Sequence, residues 1–199
     1  MKILAFSDTH LSAPAIERIA KKSQEADILI CAGDVSWFGV GLKNILTFLD
    51  KLGKPIYIIP GNHEEPPEAL EKFCKKLTHV HYVHKKVVRI DDFVFFFWGC
   101  GGFSPVNKEM EKAVPAFKKT LKKGDKVVFV THGPPYETGL DYLDWAGHVG
   151  CRSARKFLLD VKPILHISGH LHEHMYEKHV FQKKTVLVNA GPAGTMIEI

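Results

Sequence analysis

The sequence predicts an α/β protein built from two packed sheets with helices outside them. Three observations point there. The opening part of the chain alternates short apolar, β-branched runs with amphipathic helical patterns in the order β-α-β-α-β, which is the signature of a parallel sheet covered by helices. The middle and the tail set strand patterns so close together that hairpins must join them. The chain also has 199 residues, 45% hydrophobic and 25% charged, enough to bury a core without disulfide staples. One domain spanning residues 1–199 is expected.

Taken in order, Lys2–Phe6 reads as a strand. Pro14–Gln24 reads as a helix, with Pro14 near its first turn and Ile16, Ile19 and Ala20 on one face. Asp27–Cys31 is a second strand. Leu42, Ile45, Leu46 and Leu49 follow helical spacing, and Gly53 ends that helix. Pro55–Ile59 is a third strand and Pro66–Lys76 a short helix. Val80–Val83, Lys86–Ile90 and Phe93–Trp98 are close-spaced strands, the last two joined by a turn at Asp91-Asp92. A helical stretch runs through Met110, Val114, Phe117 and Leu121, with a break or second start expected at Pro115. Lys126–Val130 is a strand, Cys151–Leu159 a helix and Pro163–Ser168 a strand. His174–Phe181 and Thr185–Val188 form a closing hairpin.

Composition excludes several classes. No apolar run approaches the roughly 18 residues of a membrane span, and the longest, Phe93–Trp98, is strand-sized. No membrane partner is expected. Ile3–Phe6 is too short for the apolar part of a secretion signal before Ser7-Asp8-Thr9-His10. Cys31, Cys74, Cys100 and Cys151 are far apart and form no C-x-x-C pair. They read as reduced, mostly buried thiols of a cytoplasmic protein. The net charge of +5 comes mainly from lysines scattered in pairs such as Lys21-Lys22 and Lys118-Lys119. A solvated surface is the favoured reading, and nucleic acid is an admissible but less favoured partner. No pattern specifies an oligomeric state.

The unusual number is 12 histidines. Five polar segments directly follow strand patterns: Ser7-Asp8-Thr9-His10, Gly33-Asp34, Gly61-Asn62-His63-Glu64, Thr131-His132-Gly133 and Gly169-His170-Leu171-His172. Functional groups of α/β sheets collect outside the carboxyl ends of strands, so neighbouring strands would bring all five to one rim. Asp8, His10, Asp34, Asn62, His132, His170 and His172 offer oxygen and imidazole ligands without a thiolate. That mixture suits Mn, Fe, Co, Ni or Zn. Seven ligands are too many for one ordinary site and about right for two ions sharing a carboxylate. In Asp8-x-His10 and His170-x-His172, extended backbone would point both side chains the same way, each pair toward one cluster of ions. Gly33, Gly61 and Gly169 permit sharp turns and close backbone approach.

The ordered set D-x-H, G-D, G-N-H-E, H and G-H-x-H, from Asp8 to His172, resembles the calcineurin-like metallophosphoesterase superfamily. Thr131-His132-Gly133-Pro134-Pro135, Gly139-Leu140-Asp141, Val149-Gly150-Cys151 and Gly169–Glu173 resemble its small metallophosphoesterase-domain subgroup, which includes phosphodiesterases. The resemblance implies a four-layer α/β/β/α sandwich of two mixed sheets. It implies one divalent ion held by Asp8, His10, Asp34 and His172 and a second by Asp34, Asn62, His132 and His170, with Asp34 bridging. Manganese is the expected metal, with iron, nickel, cobalt or zinc as alternatives. The implied reaction is phosphoester hydrolysis, diesters ahead of monoesters, by in-line attack of a metal-bridging hydroxide. His63 would be the general acid, and the partner a small phosphoester, including nucleotides. A nuclease is the first alternative. A non-catalytic metal-binding interaction scaffold is the second, as in a retromer subunit that resembles this fold but departs from it at the histidine of the G-N-H segment.

Other residues carry duller expectations. Glu64 and Glu173 read as solvated or supporting residues, and Asp141 as a pocket or turn carboxylate. His79, His81 and His84 read as surface or half-buried, and His166, in an apolar run, as a core histidine. His148, His174 and His179 have no assigned role. Trp37, Phe38, Phe103, Tyr136 and Trp145 are pocket, lid or core aromatics. Asn189-Ala190-Gly191-Pro192 resembles a closing loop after the last strand, or is an ordinary turn.

Overall fold

A computed structural model describes residues 1–99 and 101–199. Cys100 lies outside the described residues, while Cys31 and Cys74 are buried free thiols and Cys151 is half-buried. Among the described residues, a five-stranded sheet is made of β1 (Lys2–Phe6), β2 (Ile28–Cys31), β3 (Ile56–Ile58), β4 (Val80–Tyr82) and the last strand, β13 (Thr195–Glu198), in the order β13-β1-β2-β3-β4. β1 to β4 run parallel, and β13 pairs antiparallel with β1. The sequence patterns did not include β13. The chain then crosses to a six-stranded sheet of β5 (Lys86–Ile90), β6 (Phe93–Trp98), β7 (Lys126–Thr131), β10 (Leu165–Ser168), β11 (Lys178–Phe181) and β12 (Thr185–Asn189), in the order β11-β12-β10-β7-β6-β5. β5–β6 and β11–β12 are the expected antiparallel hairpins, and the inner strands are parallel. A two-stranded hairpin, β8 (Tyr142–Leu143) and β9 (Gly147–His148), was not expected.

Helices α1 (Ala13–Ser23), α2 (Leu42–Asp50) and α3 (Glu68–Cys74) flank the first sheet, and α4 (Lys108–Thr120) and α5 (Arg152–Val161) the second. Strand alternation builds the layers. Phe93, Phe95 and Phe97 face the other sheet and pack with Ile3, Ile30, Val128 and Ile167. Val94, Phe96 and Trp98 face outward against Met110, Phe117 and Phe157. Leu4, Phe6 and Leu29 pack on Ile19, Leu46 and Leu49. The result is the four-layer α/β/β/α sandwich.

Pro115 corrects one expectation, because α4 runs unbroken through it. An interior proline costs about 3 kcal/mol. Met110, Val114 and Phe117 are buried on this helix, and the Phe117 ring lies 4.7 Å from Phe96. Burial of one such side chain is worth about 1.5–3 kcal/mol, and three of them together outweigh the local penalty. The tail strand starts at Lys178 rather than His174, because a 3-10 turn occupies His172–His174 and Tyr176 takes a left-handed conformation, φ 69°.

Register places the site. Phe6, Cys31 and Ile58 lie in one row across β1, β2 and β3, and Val130 pairs with Ile167 across β7 and β10. The polar segments therefore leave their sheets side by side.

Candidate metal centre

The loops after β1 and β2 are zipped together by backbone bonds. Asp8 N–H donates to Gly33 O (3.0 Å) and His10 N–H to Asp34 O (3.1 Å). A bond between the sheets closes the rim, with His170 N–H donating to Asp8 Oδ2 (2.9 Å). Asp34 Oδ1 accepts from His63 N–H at 2.9 Å. Glu64 is buried rather than solvated. Its carboxylate accepts from Asp34 N–H (2.8 Å), Gly61 N–H (3.1 Å), Ser36 N–H (3.0 Å) and Ser36 Oγ–H (2.7 Å), and so clamps the Asp34 loop.

Asp8, His10, Asp34 and His170 all take positive φ, at 55°, 41°, 54° and 69°. Such conformations cost about 1–3 kcal/mol each and collect at functional sites. They also correct the expectation of extended backbone in Asp8-x-His10 and at His170. Close approach explains the neighbouring glycines. A Cβ on Gly61 would strike the Asp34 carboxylate, and one on Gly169 would strike Ser7 Oγ and the Asp8 carboxylate. Gly33 turns at φ +100°.

Three groups of ligand atoms result, each within 4.8 Å of one another: Asp8, His10 and His172; His10, Asp34 and His63; and Asp34, His132 and His170. Asp34 Oδ2 lies 3.3 Å from His132 Nε2, 3.9 Å from His63 Nε2 and 4.0 Å from His10 Nε2. Asp8 Oδ1 lies 3.7 Å from His172 Nε2, and Asn62 Oδ1 lies 3.0 Å from His132 Nε2. The Asp8-x-His10 pair thus shares one group, as expected, despite its bent backbone. The His170-x-His172 pair divides between two groups, because His170 is left-handed and His172 opens a 3-10 turn.

The donor set fits divalent cations. His132 Nδ1 meets Ala32 O at 2.8 Å and His10 Nδ1 meets Ser36 O at 3.2 Å. A carbonyl can only accept, so Nδ1 carries the proton in both rings and Nε2 is left toward the cluster. Buried Asp8 Oδ1 and His170 Nε2 have no hydrogen-bond partner among the described residues, which is costly unless something electropositive meets them.

Charge is already organised. Burial pushes Asp8 up, but His172 and His132 beside it and bonds to Ser7 and His170 bring it down to about 2. Burial likewise opposes ionisation of Asp34, and His132 reverses it to a lowered value. His132 is pushed down by burial but raised to about 9 by Asp34 and Asp8. His170 is lowered to about 4 by burial and the His132 charge. His172 is raised by Asp8 despite burial. A cation bound here would displace protons and so compete with acid.

All seven predicted ligands and His63 therefore meet at one rim. By distance His63 stands beside His10 and Asp34 as closely as the ligands do. Asp141 is not in the cluster: it is a buried turn carboxylate that accepts from Glu137, Thr138 and Gly150 N–H and meets His148 Nδ1 at 3.0 Å. Glu173 is exposed. His166 is the expected core histidine, its Nε2 2.8 Å from Thr131 Oγ1. His79 and His84 are half-buried and His81 is exposed. Asn189 is more than an ordinary turn residue, because its amide donates to Leu171 O (2.9 Å) and braces the His170 turn. Trp37, Phe38, Phe103 and Trp145 are exposed around the mouth rather than in the core, while Tyr136 stacks under Arg152. Sequence reasoning missed Ser36 and the carbonyls of Ala32 and Ser36. The acid in G-N-H-E was the visible signal for Glu64, and backbone acceptors leave no signal.

A sequence model described as calcineurin-like phosphoesterase matches residues 1–174. An uncharacterized protein of Methanocaldococcus jannaschii is 29% identical, over 96% of this chain and 88% of its own length. Human metallophosphoesterase domain-containing protein 1 is 26% identical over 86% of this chain, which spans only 60% of that protein. Among solved structures, a dimetal phosphatase from Danio rerio matches the fold with a TM-score of 0.65 and 10% identity, over 98% of this chain and 88% of its own.

Proposed function

The chain belongs to the calcineurin-like phosphoesterase family, and from that premise we propose that it is a two-metal phosphodiesterase acting on small phosphoesters, nucleotides among them. Asp8, His10, Asp34 and His172 hold one divalent ion in this reading, and Asp34, Asn62, His132 and His170 the other, with manganese as the favoured metal. The observation that carries the assignment is the position of Asp34, whose carboxylate belongs to two of the three candidate groups. When bound, the ions supply positive charge to phosphate oxygens and acidify water.

The chain's own residues do the rest. His10 and His132 are fixed by backbone carbonyls, so their Nε2 atoms need no reorientation. His63 protonates the departing alkoxide, since histidine is the usual proton carrier near neutral pH. Its backbone is anchored on Asp34 Oδ1, and its ring is walled by Trp37 and Phe38 at 4.9 and 4.2 Å.

Two features favour a diester. Among the described residues lining the cleft, from His10 to Glu173, none is Lys or Arg, so no permanently cationic side chain is there to meet the second charge of a monoester. The same lining includes Trp37, Phe103, Leu143 and Trp145, apolar walls that suit two ester groups. The absence of Lys and Arg from that lining also disfavours a nucleic-acid polymer.

The test compares bis-p-nitrophenyl phosphate with p-nitrophenyl phosphate after EDTA stripping and reconstitution with Mn²⁺. Metal-dependent turnover favouring the diester by roughly tenfold, about 1.4 kcal/mol, is expected. No turnover of either substrate with two ions bound would overturn the enzyme reading.

A further inference from the structure

The mouth of the cleft carries an unusual concentration of exposed aromatic side chains. Trp37 is 48% exposed, Phe38 73%, Phe103 56% and Trp145 79%. Scattered exposed apolar residues are ordinary, whereas a group of them around one cleft marks a binding surface.

They come from three separate segments of the rim. Trp37 and Phe38 come from the loop after β2. Trp37 stacks on His10 at 4.3 Å with 24° between planes, and Phe38 lies against His63 at 4.2 Å. Phe103 stands at the other group of ligand atoms, edge-on to His170 at 4.5 Å. The Gly101-Gly102 turn before it has positive φ at both residues and passes so near Asn62 and His170 that a Cβ on Gly102 would touch both. Trp145 tips the β8–β9 hairpin and lines the same cleft as Phe103.

That hairpin is not a loose flap. Asp141 gathers Glu137, Thr138 and Gly150 N–H at its base. His174, just after the His172 turn, meets Tyr142 O at 2.8 Å through Nε2 and so ties the hairpin to the rim. Three backbone hydrogen bonds to one buried carboxylate and a cross-tie hold a tryptophan that itself has little to pack on. Internal packing does not explain its exposure, but an occupant of the cleft would.

We infer that this mouth recognises a phosphodiester whose ester groups are planar unsaturated rings, one lying on Trp37 and Phe38 beside His63 and the other between Phe103 and Trp145. The inference rests on the phosphodiesterase reading of the same centre. The ring beside His63 is the one that leaves, because that imidazole is placed to protonate its oxygen. The ring held by Phe103 and Trp145 stays with the phosphate. Stacked rings recognise any flat π-face by dispersion and quadrupole contact, so the preference is for shape and not for one hydrogen-bonding edge.

The experiment uses the Mn²⁺-loaded full chain and two unreactive probes of equal charge, diphenyl phosphate and dimethyl phosphate, titrated by calorimetry. The wild type should bind the diphenyl ester at least roughly tenfold more tightly. Trp145→Ala and Phe103→Ala should each cut that ratio about threefold, and Trp145→Phe should restore most of it. All these side chains are exposed, so folding is expected to survive, and metal content checks it. Equal affinity for the two probes in the wild type would overturn the inference, as would an unchanged ratio in the Phe103→Ala/Trp145→Ala double variant. Turnover of bis-p-nitrophenyl phosphate, followed in parallel, separates the two ideas. Ring-selective binding without turnover sinks the hydrolase and keeps the recognition site, and turnover without ring selectivity does the reverse.

Discussion

The first sheet brings both buried carboxylates of the centre, Asp8 and Asp34, with His10, Asn62 and His63. The second sheet brings only imidazoles, His132, His170 and His172. Each carboxylate is fastened by backbone N–H groups, Asp8 by His170 from the opposite rim and Asp34 by His63 from its own. Of the imidazoles, His132 is aimed by the Ala32 carbonyl and the Asn62 amide oxygen, and His172 faces Asp8. Neither rim offers a complete ligand set alone. The anionic half fixes where charge sits, and the imidazole half supplies nitrogen donors that only the closed sandwich can deliver.

The second sheet also holds a control. His132 and His166 are both fully buried. Asp34 raises His132 to about 9, whereas burial alone lowers His166 to about 3. Equal burial with opposite outcomes traces the charge of His132 to the carboxylates of the first rim and not to the interior as such.

The sharpest way to break this asymmetry is Asp34→Asn. Loss of both ions by elemental analysis is expected, with turnover down by on the order of a thousandfold, while Asp8→Asn loses one ion. Retention of two ions in Asp34→Asn would refute a shared carboxylate. His63→Ala should cost roughly 10²–10⁴-fold on substrates with poor leaving groups and leave both ions bound. Metal loss in that variant would make His63 a ligand instead of the acid. The smallest effect lies in the control histidine. The unfolded chain takes up a proton at His166 near pH 6.5, and the folded state resists until about 3. Its stability contribution is therefore intact above pH 6.5 and lost as pH falls toward 3, at up to about 1.36 kcal/mol per pH unit. Thermal denaturation of His166→Gln should show a flatter acid limb than wild type over that window, and parallel curves would show that His166 is not held neutral by burial.

Much of this centre was legible because its ligands sit in short, ordered segments after strands. Strand periodicity located β1, β2, β3, β7 and β10, and the residue types following them specified oxygen and imidazole donors. What remained hidden was nonlocal. β13 pairs with β1 from the far end of the chain, and the short β8–β9 hairpin depends on Asp141. Pro115 reads as a helix breaker until Phe96 and Phe157 are seen packed against its helix. The extended reading of Asp8-x-His10 failed because both residues take left-handed backbone, held by bonds to Gly33 and Asp34.

The sequence by itself determined the layer order, the candidate donors and the family, because each is written in local periodicity or in contiguous motifs. Tertiary structure alone decided which imidazole faces which carboxylate, the division of His170 from His172, the burial of Glu64 and the gathering of four aromatics at one mouth. Those depend on the register between two sheets and on backbone carbonyls from distant residues, and neither leaves a trace in the order of side chains.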